Sequence, residues 1–268
     1  MWLNRTLSET MRTQLLINNK FAEYNTDSLN IELFNSQAFD QIALINYKNR
    51  TQHTQEILIE KFTYAQNEML AYIPFCVHPM PKRALVCGTL NCEIAYLLAK
   101  EGLEVDIIMP DKEAFYTLSG FLPHFKEITQ SNRISLYDNF LSLKTTQYDI
   151  VIHLGEIKNN EFSALGKLAN QESILIYRLH NLYLETNLAL QTLDVAKDFS
   201  HILMPFVVCC LENNFYIFAS KKFHPLADLI LQKSDMLENL HFYNANIHTS
   251  AFRLPNRIQN IIAPYVKN

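Results

Sequence analysis

The chain has 268 residues, of which 49% are hydrophobic and 19% charged, with a formal net charge of −4. It is too apolar for a disordered protein and long enough to bury a sizeable core. Its five glycines, about 2% of the residues against a usual share near 7%, include no two within ten residues of each other. Phosphate loops and dinucleotide-binding turns need closely spaced glycines, so both classes of nucleotide site are excluded.

Charge and cysteine content exclude further classes. Lys and Arg number 23 against 27 Asp and Glu, without a basic run, so nucleic acid is not an expected partner. No apolar stretch is long enough to span a membrane, and residues 1–5 do not open a signal peptide, so we expect a cytoplasmic protein. No cysteine belongs to a C-x-x-C pair, so we expect buried thiols and neither a metal site nor a disulfide framework. The cysteines are Cys76, Cys87, Cys92, Cys209 and Cys210.

The first fifty residues predict a small antiparallel β domain, which we place at residues 1–52. Three short apolar or alternating runs are separated by breaks rich in Asn, Asp and Ser, and no helix of useful length fits between them. The runs are Gln14–Ile17, Leu29–Phe34 and Gln41–Ile45.

Residues 53–268 predict an α/β domain with a doubly wound parallel sheet. A helical pattern covers Glu56–Tyr72 and stops before Pro74. Strand-like runs then alternate with helical patterns that begin near Glu93, at Asp111 and at Leu182, and two apolar runs at 201–210 and 215–220 form a final hairpin. The strand-like runs are Ala84–Gly88, Val105–Met109, Ile134–Tyr137, Tyr148–Ile152 and Ser173–Tyr177.

In open α/β sheets the ligand lies beyond the carboxyl ends of the strands. The first such end carries Gly88, where the backbone can approach a ligand. The second carries Asp111, an acceptor for ribose hydroxyls or simply a helix N-cap. At the third, Asp138 beside an aromatic residue suits an exocyclic amine of adenine, although Asp138-Asn139 is also a common turn. The fourth carries Glu156, which is either functional or a solvated loop residue.

Several stretches spread over most of the chain resemble the spermidine synthases, the polyamine aminopropyltransferase family. Glu68–Pro74 followed by His78-Pro79-Met80-Pro81-Lys82 is similar to the family's E-M-x-x-H-x-P and H-P-x-P-K. The most diagnostic stretch is Phe242–Pro255, which is similar to Y-Y-N-x-x-x-H-x-A-A-F-x-L-P; we expect its His248 to be structural. The chain most resembles the divergent version found in Helicobacter and its relatives.

This resemblance implies a β-stranded N-terminal domain, a methyltransferase-like Rossmann domain and a homodimer. It implies transfer of an aminopropyl group from decarboxylated S-adenosylmethionine, a co-substrate, to putrescine, with no other cofactor and no metal. The implied binding residues are Gly88, Asn91, Asp111, Asp138 and Asn139, with Glu68 as a supporting acid and Glu156 as the general base.

The chain departs from the family where its chemistry is expected. Asn91 replaces the acid of the family's glycine-rich loop, and Met109 replaces the first ribose-binding acid. Glu156 is the carboxylate left in the segment that carries the family's general base. Two alternatives therefore stay open: a catalytically lapsed relative that binds nucleoside or polyamine, and a methyltransferase that uses intact S-adenosylmethionine.

Overall fold

The computed structural model describes residues 1–8, 10–48, 55–144, 147–155 and 159–267, with side chains in the last range described from residue 164 onward. In these ranges the N-terminal part is all β. Its strands are β1 (Trp2–Thr6), β2 (Arg12–Leu16), β3 (Asn19–Asn25), β4 (Leu29–Ser36), β5 (Asp40–Tyr47) and β6 (Gln55–Ile59). The first two form an antiparallel hairpin, and the other four form an antiparallel sheet in the order β3-β4-β5-β6. The predicted antiparallel β structure is confirmed.

The remainder alternates helices and strands. The strands are β7 (Arg83–Cys87), β8 (Glu104–Ile108), β9 (Ile134–Tyr137), β10 (Tyr148–His153), β11 (Ala169–Leu179), β12 (Ile202–Cys209) and β13 (Asn213–Ser220). The helices are α1 (Thr63–Val77), α2 (Glu93–Lys100), α3 (Lys112–Thr117), α4 (Phe125–Gln130), α5 (Asn159–Leu168), α6 (Thr186–Ala196), α7 (Leu231–Met236), α8 (Ala245–Ala251) and α9 (Asn256–Ile262). Short 3-10 helices cover Phe140–Ser142 and Lys197–Phe199.

A seven-stranded sheet in the order β12-β13-β11-β10-β7-β8-β9 runs through this second part. Strands β11, β10, β7, β8 and β9 are parallel neighbours, and the hairpin β12-β13 joins β11 antiparallel. The predicted α/β class, a methyltransferase-like Rossmann sheet behind a small β domain, is confirmed. Among the described helices, none combines the length and apolarity needed to cross a membrane.

The predicted helix at Glu56–Tyr72 is wrong at both ends. Residues 55–59 form β6, because the backbone groups of β5 are available to pair with them, and Leu58 and Ile59 become buried. The N-terminal sheet therefore continues past the boundary that we predicted at residue 52.

Helix α1 also continues through Pro74 to Val77. A proline inside a helix removes one backbone hydrogen bond. Cys76 and Val77 are fully buried behind it, and the His78 N–H bonds to the Pro74 carbonyl at 3.0 Å. Burial of the last turn of the helix offsets the free-energy cost of the hydrogen bond that Pro74 removes.

The central sheet is covered on both faces. Side chains such as Ile174 and Ile176 of β11 face α1 and α2, in a core that extends into the N-terminal sheet. Tyr177 and Leu179 point to the other face and pack with residues of α6 and α9. Residues therefore alternate between the two faces along each strand, as the period of a strand requires.

The cysteines follow the predicted pattern only in part. Cys76, Cys87 and Cys92 are buried, as expected. Cys209 and Cys210 are exposed free thiols, because they lie at the end of β12 and in the hairpin turn that follows it. The expectation that all thiols are buried is therefore wrong for this pair.

Candidate active site

Strand register aligns one row of residues along the carboxyl edge of the parallel strands. Cys87 of β7 lies beside His153 of β10, which lies beside Tyr177 of β11. The next residues in these strands and loops are Gly88, Leu154 and Arg178, and Arg178 pairs with Tyr216 of β13. The edge predicted to hold the ligand therefore continues onto the antiparallel hairpin.

The loops after β7 and β10 meet backbone to backbone at Gly88. This glycine has φ +79°, and a Cβ built on it would collide with the backbone nitrogen of Gly155 and lie 2.8 Å from its Cα. Both observations require glycine at position 88. The first and fourth of the strand ends predicted to hold the ligand are thus brought together. Glu156, the predicted base, follows Gly155 directly in the chain and lies outside the described residues.

Asn91 is fully buried in the loop that follows β7. Its side-chain Nδ2 donates to Asn67 Oδ1 of α1 at 2.7 Å, and its Oδ1 accepts from the Glu93 N–H. The neighbouring Thr89 hydroxyl donates to Glu56 of β6 at 2.5 Å. These bonds fix the loop after β7 to both α1 and the N-terminal sheet.

Asp111 performs the alternative role that we considered for it, since its side chain caps α3 by accepting from the Ala114 N–H at 2.9 Å. The hydroxyls of Thr26 and Ser28, in the β3-β4 turn, each donate to the same carboxylate at 2.8 Å. Partial burial raises the pKa of Asp111, but the three hydrogen bonds outweigh it and hold the pKa below its ordinary value.

Asp138 and Asn139 lie at the adjacent strand end. The Asp138 side chain is 66% exposed and forms an ion pair of 2.7 Å with Lys112, the residue after Asp111. Asn139 caps the short 3-10 helix that follows by accepting from the Leu141 and Ser142 N–H groups. The second and third of the predicted strand ends are therefore neighbours, and the Asp138 carboxylate is exposed to solvent.

Glu68 lies away from this edge, on the buried side of α1. Its carboxylate accepts three backbone hydrogen bonds of 2.7–2.8 Å, from the N–H groups of His241, Phe242 and Tyr243. The residue is 4% exposed. The structure thus directs both oxygens at the C-terminal segment and leaves none facing the strand ends.

A solvent-open cleft lies where the hairpin β1-β2, strand β6, the start of α1 and the β12-β13 turn meet above Leu154. Its charged lining residues are Arg5, Glu56, Arg178 and Glu212, and Tyr216 forms part of its wall. We call this space the arginine cleft. Sequence reasoning missed it, although Arg178 follows the fifth predicted strand and the rule of strand ends also applies there.

The C-terminal segment confirms the structural role expected for His248. This residue is fully buried; its Nδ1 bonds to the Tyr243 hydroxyl at 2.8 Å and its Nε2 to the Pro225 carbonyl at 3.0 Å. Burial lowers the pKa of His248 to about 4, against the raising effect of the Pro225 hydrogen bond.

Comparisons with known proteins agree with the resemblance. No protein-family model matches the chain. The polyamine aminopropyltransferase of Helicobacter acinonychis is 29% identical over 270 residues, which cover 100% of both chains, and that of Helicobacter pylori strain G27 is 27% identical over the same length. The enzyme of Agathobacter rectalis is 25% identical over 98% of this chain and 97% of its own.

Solved structures give the same fold. The spermidine synthase from Thermotoga maritima has a TM-score of 0.86 and 15% identity, covering 98% of this chain and 95% of its own. A spermidine synthase in complex with the transition-state analogue AdoDATO matches equally well. The chain is therefore a homologue of the polyamine aminopropyltransferases over its whole length and has the spermidine synthase fold.

Proposed function

We propose that the protein is a polyamine aminopropyltransferase that makes spermidine from putrescine and decarboxylated S-adenosylmethionine. The observation that carries this proposal is similarity to curated polyamine aminopropyltransferases over the entire chain, including the C-terminal segment that Glu68 and His248 hold in place. The fold shared with spermidine synthases supports it.

The reaction is an in-line displacement at a carbon next to a sulfonium. The lone pair of the amine nitrogen forms the new N–C bond, and the electrons of the breaking C–S bond stay on sulfur, which leaves as the neutral thioether 5′-methylthioadenosine. The departing group needs neither an acid nor a metal, so the proposal includes no cofactor. The amine, with a pKa around 10 like that of Lys, must lose a proton before it attacks.

In this proposal Glu156 accepts that proton, Asp138 binds the adenine amine and Asp111 binds the ribose. Several geometric features support these assignments. Gly88 and Gly155 form one backbone junction, and Gly155 directly precedes Glu156 in the chain. Asn139 fixes the loop after Asp138, and Asn91 fixes the loop after Gly88. A ribose hydroxyl can replace the Thr26 or Ser28 hydroxyl on the Asp111 carboxylate.

The test is incubation of the protein with putrescine and labelled decarboxylated donor, in parallel with intact donor. We expect spermidine and 5′-methylthioadenosine in equal amounts from the decarboxylated donor. Glu156→Gln should lower turnover by on the order of 10²-fold while 5′-methylthioadenosine binding persists. Binding without turnover would instead indicate the lapsed relative, and a methylated product from intact donor would indicate a methyltransferase.

We also propose a homodimer in the cytoplasm. The hairpin β1-β2 exposes Met1, Trp2 and Leu16, and apolar side chains on a two-stranded sheet favour association with a second copy. The exposed thiols Cys209 and Cys210 suit a reducing compartment. Light scattering should give twice the chain mass of 31.2 kDa, and the monomer mass at micromolar concentration would contradict the dimer.

A further inference from the structure

Strand β1 brings a buried arginine into the arginine cleft. Leu3 and Arg5 lie on the same face of the strand, and both are buried. Leu3 packs into the small core of the N-terminal sheet, whereas the Arg5 guanidinium forms an ion pair with Glu212 of the β12-β13 turn. The Thr6 N–H donates to the Gln55 side chain of β6 at 3.1 Å. Because Leu3 and Thr6 hold the strand, the Arg5 side chain can move without the hairpin.

The surroundings of Arg5 are unfavourable for a guanidinium. The residue is 8% exposed, and its Nε has no hydrogen-bond partner among the described residues. Burial lowers the pKa of Arg5 most strongly, the ion pair with Glu212 opposes this effect, and the nearby Arg178 lowers the pKa further. Removing a guanidinium from water is costly unless its hydrogen-bonding groups are satisfied. Arg5 is therefore a weak occupant of the position beside Glu212.

The charges that line the cleft balance only while Arg5 is inside it. Among the described residues, the charged lining consists of the carboxylates of Glu56 and Glu212 and the guanidinium groups of Arg5 and Arg178. Glu56 accepts hydrogen bonds from two hydroxyl groups, which are neutral and leave its charge in place. When the Arg5 side chain moves into solvent, the lining keeps an excess of negative charge. The cleft then attracts a cation in place of Arg5.

The position of Glu212 suits the far nitrogen of an acceptor diamine. The proposed proton acceptor Glu156 follows β10 in the chain, so the reacting nitrogen belongs near the carboxyl end of β10. Phe215, at the start of β13, pairs with Leu179 at the carboxyl end of β11, and β11 separates β13 from β10. Neighbouring strands lie about 4.8 Å apart, so two spacings amount to about 10 Å. An extended four-carbon diamine with a hydrogen bond at each end has a comparable length.

We propose that Glu212 binds the distal ammonium of the acceptor diamine, and that Arg5 occupies this carboxylate in the free protein until the diamine displaces it. An ammonium group is a compact cation with three N–H donors, so it can bond to the carboxylate from the open side of the cleft. The displaced guanidinium enters solvent, where water satisfies its donors. Arg178 repels either cation and does not select between them. This inference rests on the proposed function and adds an acceptor-binding residue to it.

Calorimetry on the full-length protein tests the displacement with two probes that differ by one ammonium group, putrescine and 1-butylamine. We expect the unmodified protein to bind putrescine at least tenfold more tightly than 1-butylamine. Glu212→Gln should abolish most of this preference, since a charged hydrogen bond is lost. Arg5→Gln should strengthen putrescine binding severalfold and leave 1-butylamine binding unchanged, because the competing cation is gone.

The double variant with Arg5→Gln and Glu212→Gln separates competition from a general effect of charge. If Arg5 competes with the diamine for Glu212, the gain from Arg5→Gln disappears in the Glu212→Gln background. Matched controls are Lys222→Gln and Glu172→Gln, which remove the members of an exposed ion pair at the opposite, amino edge of β11. Each control should leave the preference for putrescine intact.

Two results would overturn the inference: a preference for putrescine that survives Glu212→Gln, and a gain from Arg5→Gln that persists in the double variant. Urea unfolding of each variant shows that the protein used for calorimetry is folded. The proposed function fails separately, if the unmodified protein yields no 5′-methylthioadenosine from putrescine and the decarboxylated donor. The binding measurements need no turnover, so they decide the role of Glu212 in either case.

Discussion

At the scale of single residues, His248 makes stability depend on pH. Its pKa is about 4 in the folded protein, while an unfolded histidine titrates near 6.5. Between these values the unfolded chain holds more protons than the folded one, so stability falls as the pH falls through this window. At about 1.4 kcal/mol per pKa unit, the loss at pH 5 is about 2 kcal/mol.

Urea unfolding at pH 7 and pH 5 measures this effect. His248→Asn should be less stable at pH 7 and should lose less stability between the two pH values than the unmodified protein. His201→Asn, at an exposed position, should keep the normal difference. A normal pH difference in His248→Asn would show that other groups carry the effect.

Glu68 gives a second prediction at this scale. Glu68→Gln places an amide NH₂ against backbone N–H donors that now bond to a carboxylate. Hydrogen bonds to charged groups contribute about 1.5–3 kcal/mol, so we expect a loss of roughly 3 kcal/mol in urea unfolding. Glu104→Gln, at an exposed side chain, should change stability by less than about 0.5 kcal/mol.

The same variant separates structural and catalytic roles of Glu68. If Glu68 anchors the C-terminal segment, stability falls strongly and the putrescine KM of the protein that remains folded changes little. A raised KM with unchanged stability would instead make Glu68 the supporting acid that the resemblance implies.

At the scale of elements, the loops after β7 and β10 are joined at Gly88. Gly88→Ala needs both a left-handed backbone and a shift of Gly155, whereas Gly102→Ala needs only a left-handed backbone, since open space surrounds Gly102 at φ +93°. We expect about 1–2 kcal/mol for Gly102→Ala from the backbone conformation and a larger loss for Gly88→Ala.

Binding provides the second measurement for this pair of glycines. Calorimetry with 5′-methylthioadenosine should show weaker binding to Gly88→Ala, since the collision displaces the loop that leads to Glu156. Gly102→Ala, at the end of α2, should bind normally. Equal affinity for both variants would mean that the Gly88 junction does not shape the site.

At the scale of the whole molecule, Asp111 connects the N-terminal sheet to the Rossmann sheet. A double-mutant cycle with Asp111→Asn and Ser28→Ala isolates their contact across this boundary. We expect a coupling of about 1 kcal/mol or more in urea unfolding, because the hydroxyl donates to a charged, partly buried carboxylate.

The contact between Tyr24 and Glu113 crosses the same boundary but is exposed, with 3.1 Å between the Tyr24 hydroxyl and the Glu113 carboxylate. A parallel cycle with Tyr24→Phe and Glu113→Gln should therefore give a smaller coupling. Equal couplings in the two cycles would indicate that Asp111 adds nothing specific to the docking of the N-terminal sheet.

The sequence by itself determined the class of fold and the edge of the sheet where a ligand should lie. The run Tyr148–Ile152 became a strand whose residues are almost all buried, because this strand lies inside the sheet with both faces covered, and such strands have a nearly continuous apolar pattern. The C-terminal stretch Phe242–Pro255 also indicated the family, because it keeps the family's pattern of specific residues, whereas this chain lacks the family's glycine-rich loop.

Tertiary structure alone decided which polar side chains are engaged within the fold and which can bind a ligand. Residues 55–59 became a strand because β5 offers backbone partners, and helix α1 passed through Pro74 because burial outweighs one lost hydrogen bond. Glu68 and Asp111 are both carboxylates that could serve in a binding site. In the folded chain, however, Glu68 bonds to residues 241–243 and Asp111 bonds to residues in the range 26–28. Arg5 and Arg178 share a cleft although 173 positions separate them in the chain. Local patterns carry no information on such distant partners, because folding sets them by bringing separate elements together.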